Sequence, residues 1–508
     1  MLASNQKRIM RNTGMLYIRM LLAMAIGLYT SRVVLNVLGV EDFGTYHVVA
    51  GFVALLGFMQ GAMTTASQRY FAFDLGQNNG NNLRSLFNTS LRVHALLALC
   101  IVLIAETAGY WFVSTQLTIP ESRHQAAIQT YHLSVAVFAI SVMTTPLTAM
   151  LMANERMGLF ALMSMGEILL KLVAVMLLPH LAYDKLSTYA ALLLGVSLLS
   201  FCGYLLINRA VFPAVGLQWG CNKKNFRSML GFTFWSAWGY LAGAMSEYGN
   251  NILLNIFFGP AVNAGRSIAT QANSALNQFV NNVQAAINPQ IIKLYASGER
   301  QQMHELVQRA SKYNFLLLLL LAMPVLFYTQ ELLKMWLVKP PEYATIFLRL
   351  TIIVSLIDSI SRPLMTSAQA TGRIRLYQSV VGGIMLLNLP LAYISIKLWH
   401  EPDLVIASGI IIALMALIAR LLILKNLTGM AVRQYFESVM VRVILVGVIS
   451  CFVNYYFYFQ VDSFFELVLG LLNCLFITIL IIFFLGLNSP ERRFLTYFFM
   501  NAFKKVFG

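Results

Sequence analysis

The chain has 508 residues, of which 58% are hydrophobic and only 11% are charged, and its mean hydropathy is +0.70. Because about 25% of residues are charged in an average soluble domain, this composition excludes a soluble enzyme, a disordered chain and a fibrous protein. An all-α polytopic membrane protein remains. The formal net charge is +16, from 36 Lys and Arg against 20 Asp and Glu. In a membrane protein this excess bears first on sidedness, and we predict no nucleic-acid partner.

Fourteen apolar segments are predicted as transmembrane helices, because each approaches the length of about 20 residues that a spanning helix needs. Charged, proline, asparagine and glycine clusters separate them. The eighth segment is unusually polar. The predicted limits are 14–38, 44–68, 86–115, 124–152, 159–181, 187–211, 228–258, 261–296, 306–336, 342–370, 376–399, 403–426, 438–459 and 463–486.

The distribution of cations orients these spans with both termini in the cytoplasm. In that orientation the inside connections, the tails and the adjoining helix ends hold 25 Lys and Arg, among them Lys293, Lys312 and Arg420. An odd number of spans would remove the bias, so most of the net charge reports topology. The outside connections hold only five: Arg123, Lys185, Lys334, Lys339 and Lys397.

An internal repeat relates the fourth and tenth spans at an offset of 217 residues: Pro146-Leu147, Ala153, Arg156, Leu159-Phe160 and Gly166 recur as Pro363-Leu364, Ala370, Arg373, Leu376-Tyr377 and Gly383. Leu35-Asn36 and Gly39 similarly match Leu254-Asn255 and Gly259. A unit of six spans places both copies in the same orientation, which predicts two lobes with a cleft between them. The predicted organisation is an N-lobe over 1–211, a cytoplasmic connection over 212–227, a C-lobe over 228–426, and the last two spans with a cytoplasmic tail over 427–508.

Spans seven and eight carry too many polar side chains to face lipid. Their amides include Asn250 and Asn251 on span seven, and Gln271 and Asn277 on span eight, where polar residues recur every three or four positions. Two interpretations stay open: hydrogen bonding between helices of a tight bundle, or the lining of a water-filled cavity. Because an unsatisfied amide in hydrocarbon costs several kcal/mol, the length of the run favours the cavity.

Ionisable residues at membrane depth are candidates for function. Two pairs stand four residues apart, Glu167 with Lys171 and Asp358 with Arg362, and each could be a structural ion pair or part of a site. Glu247 has no cation three or four residues away. Glu247 and Asp358 are therefore the candidates for coupling transport to an ion.

Arginines without an acid one turn away are predicted to face the cavity: Arg32 and Arg266, together with Arg19 near the inner edge of the first span. Guanidinium groups bind phosphate oxygens in a forked geometry, and amides pair with sugar hydroxyls. This lining suits a lipid that carries a diphosphate and a glycan. The predicted binding set is Arg19, Arg32, Arg266, Asn250, Asn251, Gln271 and Asn277, with no catalytic residue, no metal ligand and no cofactor.

Four strings, three near the start of the chain and one at the end of span eight, carry a family resemblance. The strings are Leu28-Tyr29-Thr30-Ser31-Arg32-Val33-Val34-Leu35, Leu38-Gly39-Val40-Glu41-Asp42-Phe43-Gly44-Thr45-Tyr46, Ala66-Ser67-Gln68-Arg69-Tyr70 and Asn288-Pro289-Gln290-Ile291-Ile292-Lys293. They resemble the Wzx-type polysaccharide and O-antigen flippases of the MOP superfamily, which also contains the MATE drug exporters and the lipid II flippases.

The resemblance implies a MATE-like V of two six-helix lobes plus two C-terminal helices, working by alternating access in the bacterial cytoplasmic (inner) membrane. It implies a flippase, not an enzyme, that moves an undecaprenyl-diphosphate-linked oligosaccharide from the cytoplasmic to the outer leaflet for surface polysaccharide biosynthesis. The implied partners are this substrate, membrane lipids, a polysaccharide polymerase and glycosyltransferases. The implied driving force is a Na⁺ or H⁺ gradient or the membrane potential, and the sequence does not choose between them.

The resemblance also implies cavity arginines on spans one, two and eight, for which Arg19, Arg32 and Arg266 are the nearest matches and Arg69 is the only basic residue that span two offers. The alternative function is a MATE-type cation-coupled drug exporter. A membrane glycosyltransferase or polymerase ranks third, because the outside connections are too short to hold a catalytic domain.

Overall fold

A computed structural model of the chain describes residues 2–54, 57–77, 82–115, 121–213, 222–258, 260–337 and 340–493, and the regular elements in these ranges are helical. Short π-helical turns continue α3, α16 and α18. The α-helices in chain order are α1 (Leu2–Ala54), α2 (Gly57–Gly76), α3 (Leu83–Ile104), α4 (Tyr110–Thr115), α5 (His124–Ala153), α6 (Met157–Leu177), α7 (Lys185–Val211), α8 (Lys223–Phe258), α9 (Pro260–Ala296), α10 (Arg300–Phe327), α11 (Thr329–Leu337), α12 (Ala344–Ala370), α13 (Ile374–Leu386), α14 (Asn388–Trp399), α15 (Asp403–Thr428), α16 (Val432–Tyr435), α17 (Val441–Tyr456) and α18 (Phe464–Ile481).

Ten helical segments in the described ranges are long and apolar enough to cross a membrane, which confirms a multi-pass membrane protein. They coincide with predicted spans three to six and nine to fourteen. The four other predicted spans lie on α1, α2, α8 and α9, where the described residues are helical but are not among these ten. The total of fourteen spans stays a prediction.

Gly39 marks the junction between the first two predicted spans. Helix α1 continues on both sides of this residue, but Gly39 has φ 77° and ψ 171°, so two helical stretches meet there at a kink. A side chain is strained in this region of backbone space, whereas glycine adopts it readily. The backbone therefore explains the glycine of the Leu38-Gly39-Val40 string without any role in binding.

The chain divides into two compact units, and neither coincides with a predicted lobe. The first comprises Met1–Ala244, Ala285–Glu299 and Ile374–Ser379, with α1, α2, α3, α6 and α7 packed around α5. The second comprises Met245–Gln284, Arg300–Arg373 and Val380–Gly508, with α10, α12 and α15 packed together. The lobe boundaries stay a prediction, and most of the predicted connection, 214–221, lies outside the described residues.

The turns that follow α5 and α12 share one backbone conformation. Glu155 has φ 59°, and Gly372, 217 residues later, has φ 73°. The next residues also agree, since Arg156 has φ −81° and ψ 50° and Arg373 has φ −94° and ψ 62°. This agreement at the offset of the sequence repeat supports the repeat. It also shows that the first copy places glutamate where the second has glycine.

In the second unit, an ion pair fastens the segment after α18 to α10. Lys312 Nζ lies 2.6 Å from Glu491 Oε2, and the Tyr313 hydroxyl donates to Glu491 Oε1 at 2.8 Å. The Lys312 side chain is only 4% exposed, so its charge needs this partner. Lys312, one of the cations assigned above to the inner face, therefore anchors the C-terminal helices.

Candidate functional site

Helix α9 carries polar side chains on two neighbouring stripes, one with steps of seven and four residues and one with steps of four and three, as a helical face requires. The buried stripe consists of Arg266, Asn273, Asn277 and Gln284. The exposed stripe consists of Ser267, Gln271, Ser274, Gln278 and Asn281. The single polar stripe predicted from the sequence is therefore two faces with different surroundings.

The buried stripe is hydrogen-bonded to α12. Asn273 Nδ2 and Asn277 Nδ2 both donate to Ser355 Oγ, at 2.9 and 3.1 Å. Gln284 Nε2 donates to Thr366 Oγ1 at 3.3 Å. These bonds are the interhelical alternative that the sequence left open, and they account for Asn277 as a structural amide. Its predicted role in substrate binding stays a prediction.

The exposed stripe has one such bond among the described residues, since Asn281 Oδ1 accepts from Arg362 on α12. Gln271, Gln278 and Asn281 are exposed on the middle turns of α9, within the predicted eighth span. A polar side chain exposed to hydrocarbon loses its hydrogen bonds to water, which costs several kcal/mol unless another partner replaces them. A row of exposed amides is therefore typical of a helix face in contact with water.

Arg266 and the polar residues of α8 form one cluster in the second unit. Arg266, which is 9% exposed, donates from Nε to Asn251 Oδ1 at 2.6 Å. Glu247 is exposed and close enough for its charge to act on Arg266. Asn250 is buried, and its Oδ1 accepts no hydrogen bond from the described residues. Glu247, which has no cation three or four residues away on α8, thus has one on α9.

Asp358 does not form the ion pair with Arg362, four residues later on α12, that the sequence spacing suggests. Its Oδ1 lies 4.0 Å from Arg420 Nη1 on α15, and Arg420 is 5% exposed whereas the Asp358 side chain is 41% exposed. Arg362 donates instead to Asn277 Oδ1 and Asn281 Oδ1 on α9. Arg420, counted above with the inner-face cations, is therefore a buried partner of α12, and Asp358 as an ion-coupling residue stays a prediction.

Arg19 lies in the first unit. It is half-buried, and its Cζ lies 5.3 Å from the centroid of the Phe160 ring on α6. Its Nε is buried without an acceptor among the described residues, and Glu167 is near enough for its charge to act on Arg19. Glu167 also makes the predicted pair with Lys171, at 2.7 Å. The side chain of Arg32 lies outside the described part of the chain.

Arg69 is enclosed by aromatic rings. Its Cζ lies 4.7 Å from the Tyr70 and Phe73 centroids and 5.7 Å from that of Phe232, and the residue is 8% exposed. Cation–π contacts of this kind stabilise a desolvated guanidinium. The arginine of the Ser67-Gln68-Arg69-Tyr70 string is therefore packed into the protein.

The sequence did not reveal a buried cluster in the first unit, centred on Glu155. The Glu155 side chain is 2% exposed, its Oε1 lies 2.6 Å from Lys293 Nζ, and its Oε2 accepts from Gln290 Nε2 at 2.5 Å. The backbone of Gly76 packs against the same end of α9, where a methyl group would come 2.6 Å from the Lys293 carbonyl oxygen. Because 135 and 138 residues separate Glu155 from its partners, no local pattern could predict them.

A second long-range cluster explains Asp42, the second of the two acids in the Leu-Gly-Val-Glu-Asp-Phe-Gly string. Arg123 Nε and Nη2 donate to the two Asp42 oxygens at 2.6 and 2.5 Å, and Nη1 donates to Asp184 Oδ2 at 2.6 Å. This fork joins α1 to the segments that begin α5 and α7. Asp42 is thus a structural residue of the first unit.

We expect Arg123→Lys to lower the free energy of unfolding by about 1 kcal/mol, because an ammonium cannot make the fork to Asp42 and also reach Asp184. Arg433→Lys is the matched control, since Arg433 is 92% exposed and, among the described residues, its ion pair is with Glu437 one turn along the chain. Thermal unfolding of the purified variants in one detergent checks this, and equal midpoints for the two variants would contradict it.

The same cluster should weaken in acid. Burial raises the pKa of Asp184, but hydrogen bonds from the Ser187 backbone and the Arg123 side chain outweigh it and hold the pKa below its ordinary value. A lowered pKa in the folded state gives stability that is present above the unfolded-state pKa and lost as the pH falls through the folded-state pKa. The difference between Arg123→Lys and the unmodified chain should therefore shrink at acidic pH.

Comparison with known proteins identifies solved structures that share the fold of this chain. Residues 244–394 match the MatE family model. A search of curated protein sequences found no match. An outward-facing multidrug resistance transporter of the MATE family, in the MOP superfamily, is 14% identical with a TM-score of 0.70, over 85% of this chain and 97% of that one.

Two further structures are similar. A mutant of the Vibrio cholerae MATE transporter VcmN is 17% identical with a TM-score of 0.69, over 84% of this chain and 98% of that one. A MOP superfamily transporter from Pyrococcus furiosus, described as having a binding pocket of reversed polarity that suggests a different function, is 12% identical with a TM-score of 0.68, over 83% and 96%. The chain therefore has the fold of MATE transporters over more than four fifths of its length.

Proposed function

We propose that this protein is a flippase that carries an undecaprenyl-diphosphate-linked oligosaccharide from the cytoplasmic to the outer leaflet by alternating access. The observation that carries the proposal is the exposed polar stripe of α9, with the cation Arg266 beside its first residue. A glycan headgroup needs a surface of hydrogen-bonding groups across the hydrocarbon, and the amides Gln271, Gln278 and Asn281 supply one.

The charge of the headgroup is the second argument. A diphosphate cannot cross hydrocarbon unaided, because an unpaired charge in a medium of low dielectric costs tens of kcal/mol by Born estimates. Arginine binds phosphate oxygens through paired N–H groups, so Arg19, Arg32 and Arg266 are the residues that we assign to this part of the substrate. Asn250 and Asn251 are assigned to the glycan side, with Glu247 and Asp358 as the residues that couple transport to an ion.

The size of the chain also favours a flippase. The similar MATE structures are covered over 96–98% of their own length but leave about a sixth of this chain unmatched. That share is the size of the predicted segment 427–508, which holds α17 and α18. Fourteen spans are typical of the flippase branch and twelve of the drug exporters. We place both termini in the cytoplasm on the 25-to-5 distribution of cations, in a bacterial inner membrane.

A MATE-type drug exporter is the second candidate, because the MatE match and the similar structures named for multidrug resistance favour it. An exporter of organic cations needs a site richer in acids and aromatic rings. In the described part of α9 the exposed stripe is made of neutral amides and hydroxyls. Drug resistance on overexpression, with unchanged surface polysaccharide on deletion, would favour the exporter.

The exposed stripe gives the test of the proposal. We expect the double variant Gln271→Leu and Gln278→Leu to lower surface polysaccharide in a deletion strain at least about tenfold, because each lost hydrogen bond costs about 1 kcal/mol or more in an enclosed site. Both positions are exposed, so the fold should tolerate leucine. Gln301→Leu, on an exposed position of α10, is the control. Normal polysaccharide from the double variant at normal expression would contradict the proposal.

A further inference from the structure

We infer that Arg362 is a further headgroup-binding residue, a guanidinium that two asparagines of α9 hold at the edge of the exposed polar stripe, where it binds a diphosphate. This inference rests on the proposed function and adds a specificity-determining cation to it. The sequence pattern pairs Arg362 with Asp358, one turn earlier on α12, and for that reason it does not place Arg362 in the binding set.

The position of Arg362 is set by α9. Its Nη2 donates to Asn277 Oδ1 and its Nη1 to Asn281 Oδ1. Asn277 is oriented by its own Nδ2, which donates to Ser355 Oγ at 3.1 Å and to the Asn273 carbonyl at 3.0 Å, so its oxygen is left to accept from the guanidinium. Asn281 belongs to the exposed stripe. The guanidinium is thus fixed on the side where α9 is open.

The partners of Arg362 leave its charge in place. Amide oxygens are neutral acceptors, and they use two of the five N–H groups that a guanidinium presents. A fork held by neutral groups keeps both its charge and its remaining donors for an anion. This is the arrangement that binding of a phosphate group requires, since the strongest protein–phosphate contacts are paired N–H donors from one arginine.

The acid nearby does not neutralise the cluster. Asp358 acts electrostatically on both Arg362 and Arg420, and its Oδ1 lies 4.0 Å from the buried Arg420 Nη1. The Asp358 carboxylate is therefore shared between two guanidinium groups, which leaves Arg362 without an exclusive counter-charge at membrane depth. A net charge in this environment is costly without a counter-charge, so such residues mark substrate paths. A diphosphate supplies that counter-charge, whereas an organic cation would add to the excess.

Binding to purified protein in nanodiscs tests the inference, with undecaprenyl diphosphate, undecaprenol and inorganic pyrophosphate as probes. We expect the unmodified chain to bind undecaprenyl diphosphate more tightly than undecaprenol. Arg362→Gln should weaken the binding of undecaprenyl diphosphate roughly ten- to a hundredfold and leave the binding of undecaprenol unchanged. Arg362→Lys keeps the charge but loses the forked donor geometry, and Asn281→Ala removes one of the two acceptors that hold Arg362. The affinity of both variants for undecaprenyl diphosphate should therefore lie between that of the unmodified chain and that of Arg362→Gln.

Arg433→Gln, which removes a fully exposed cation with the same change in net charge, should bind as the unmodified chain does. If the unmodified chain does not distinguish the diphosphate lipid from undecaprenol, the proposed function itself fails. If it does distinguish them and Arg362→Gln binds equally well, only the assignment of Arg362 is overturned. Loss of inorganic pyrophosphate binding in Arg362→Gln, with the lipid unaffected, would assign the site to a soluble anion and overturn the headgroup role. A melting midpoint of Arg362→Lys close to that of the unmodified chain would show that the variant is folded, so a weaker affinity could not be attributed to misfolding.

Discussion

Arg266→Ala should abolish the export of surface polysaccharide while the protein is still made and inserted. Arg266 is nine-tenths buried, donates to Asn251 Oδ1 at 2.6 Å and lies within the field of Glu247. Its guanidinium is therefore aimed by α8 and fixed before any substrate arrives. Loss of a desolvated cation from a phosphate site is expected to cost roughly 2–5 kcal/mol of binding, which is about thirtyfold or more. Complementation of a deletion strain, with expression measured in the same cells, checks this.

A structural role for Arg266 would give the same loss, so a second variant separates the two. Arg266→Gln combined with Glu247→Gln removes the cation and the acid together, which leaves no uncompensated charge on either helix and should restore most of the stability. Because Glu247 is itself assigned to ion coupling, the readout is binding: under a headgroup role the double variant folds and binds undecaprenyl diphosphate more weakly than Glu247→Gln alone. Binding equal to that of Glu247→Gln, with recovery of stability, would show that Arg266 serves only to neutralise Glu247.

Glu155→Ala should lower the free energy of unfolding by roughly 2–4 kcal/mol, the cost of removing one member of a buried ion pair. The Glu155 carboxylate holds Lys293 Nζ at 2.6 Å and Gln290 Nε2 at 2.5 Å, so its loss leaves two donors on α9 without their acceptor. Thermal unfolding of the purified protein measures the effect. A midpoint within one degree of the unmodified chain would contradict it.

The backbone of Glu155 gives this prediction an internal control. At φ 59° a side chain costs about 1 kcal/mol relative to glycine, and the equivalent turn of the second copy has Gly372 at φ 73°. Glu155→Gly loses the same contacts as Glu155→Ala but relieves the backbone, so it should be the more stable of the two by about 1 kcal/mol. Gly372→Ala should in turn be destabilised by a similar amount. The reverse order of the two Glu155 variants would show that the turn is not strained.

The sequence predicted what depends on local pattern. Ten apolar spans were placed from hydropathy, because burial in a bilayer selects apolar residues over a fixed length. The pair of Glu167 and Lys171 followed from the helical rise, and the polarity of α9 was evident from its amides. The two faces of α9 were missed, however, since a single helix cannot show which of its sides meets α12.

The sequence could not predict contacts that depend on helix packing. Asp358 and Arg362 are four residues apart, yet Asp358 approaches Arg420 on α15 and Arg362 donates to α9. Glu155 has the ordinary neighbours of a loop acid in the sequence, and its constraint is evident only from the left-handed backbone and the partners on α9 that the structure shows. In each case the deciding partner lies on another helix.

Transport of a lipid-linked glycan in proteoliposomes tests the central claim most directly. Vesicles that contain a fluorescent undecaprenyl-diphosphate oligosaccharide are made with the unmodified chain, with Arg266→Gln combined with Glu247→Gln, or without protein. A membrane-impermeant quencher then reports the fraction in the outer leaflet over time. We predict that the glycolipid redistributes rapidly between the leaflets in vesicles with the unmodified chain. It should not redistribute in vesicles with the double variant or in vesicles without protein. Equal rates in all three preparations, or transport of an organic cation in place of the glycolipid, would contradict the proposed function.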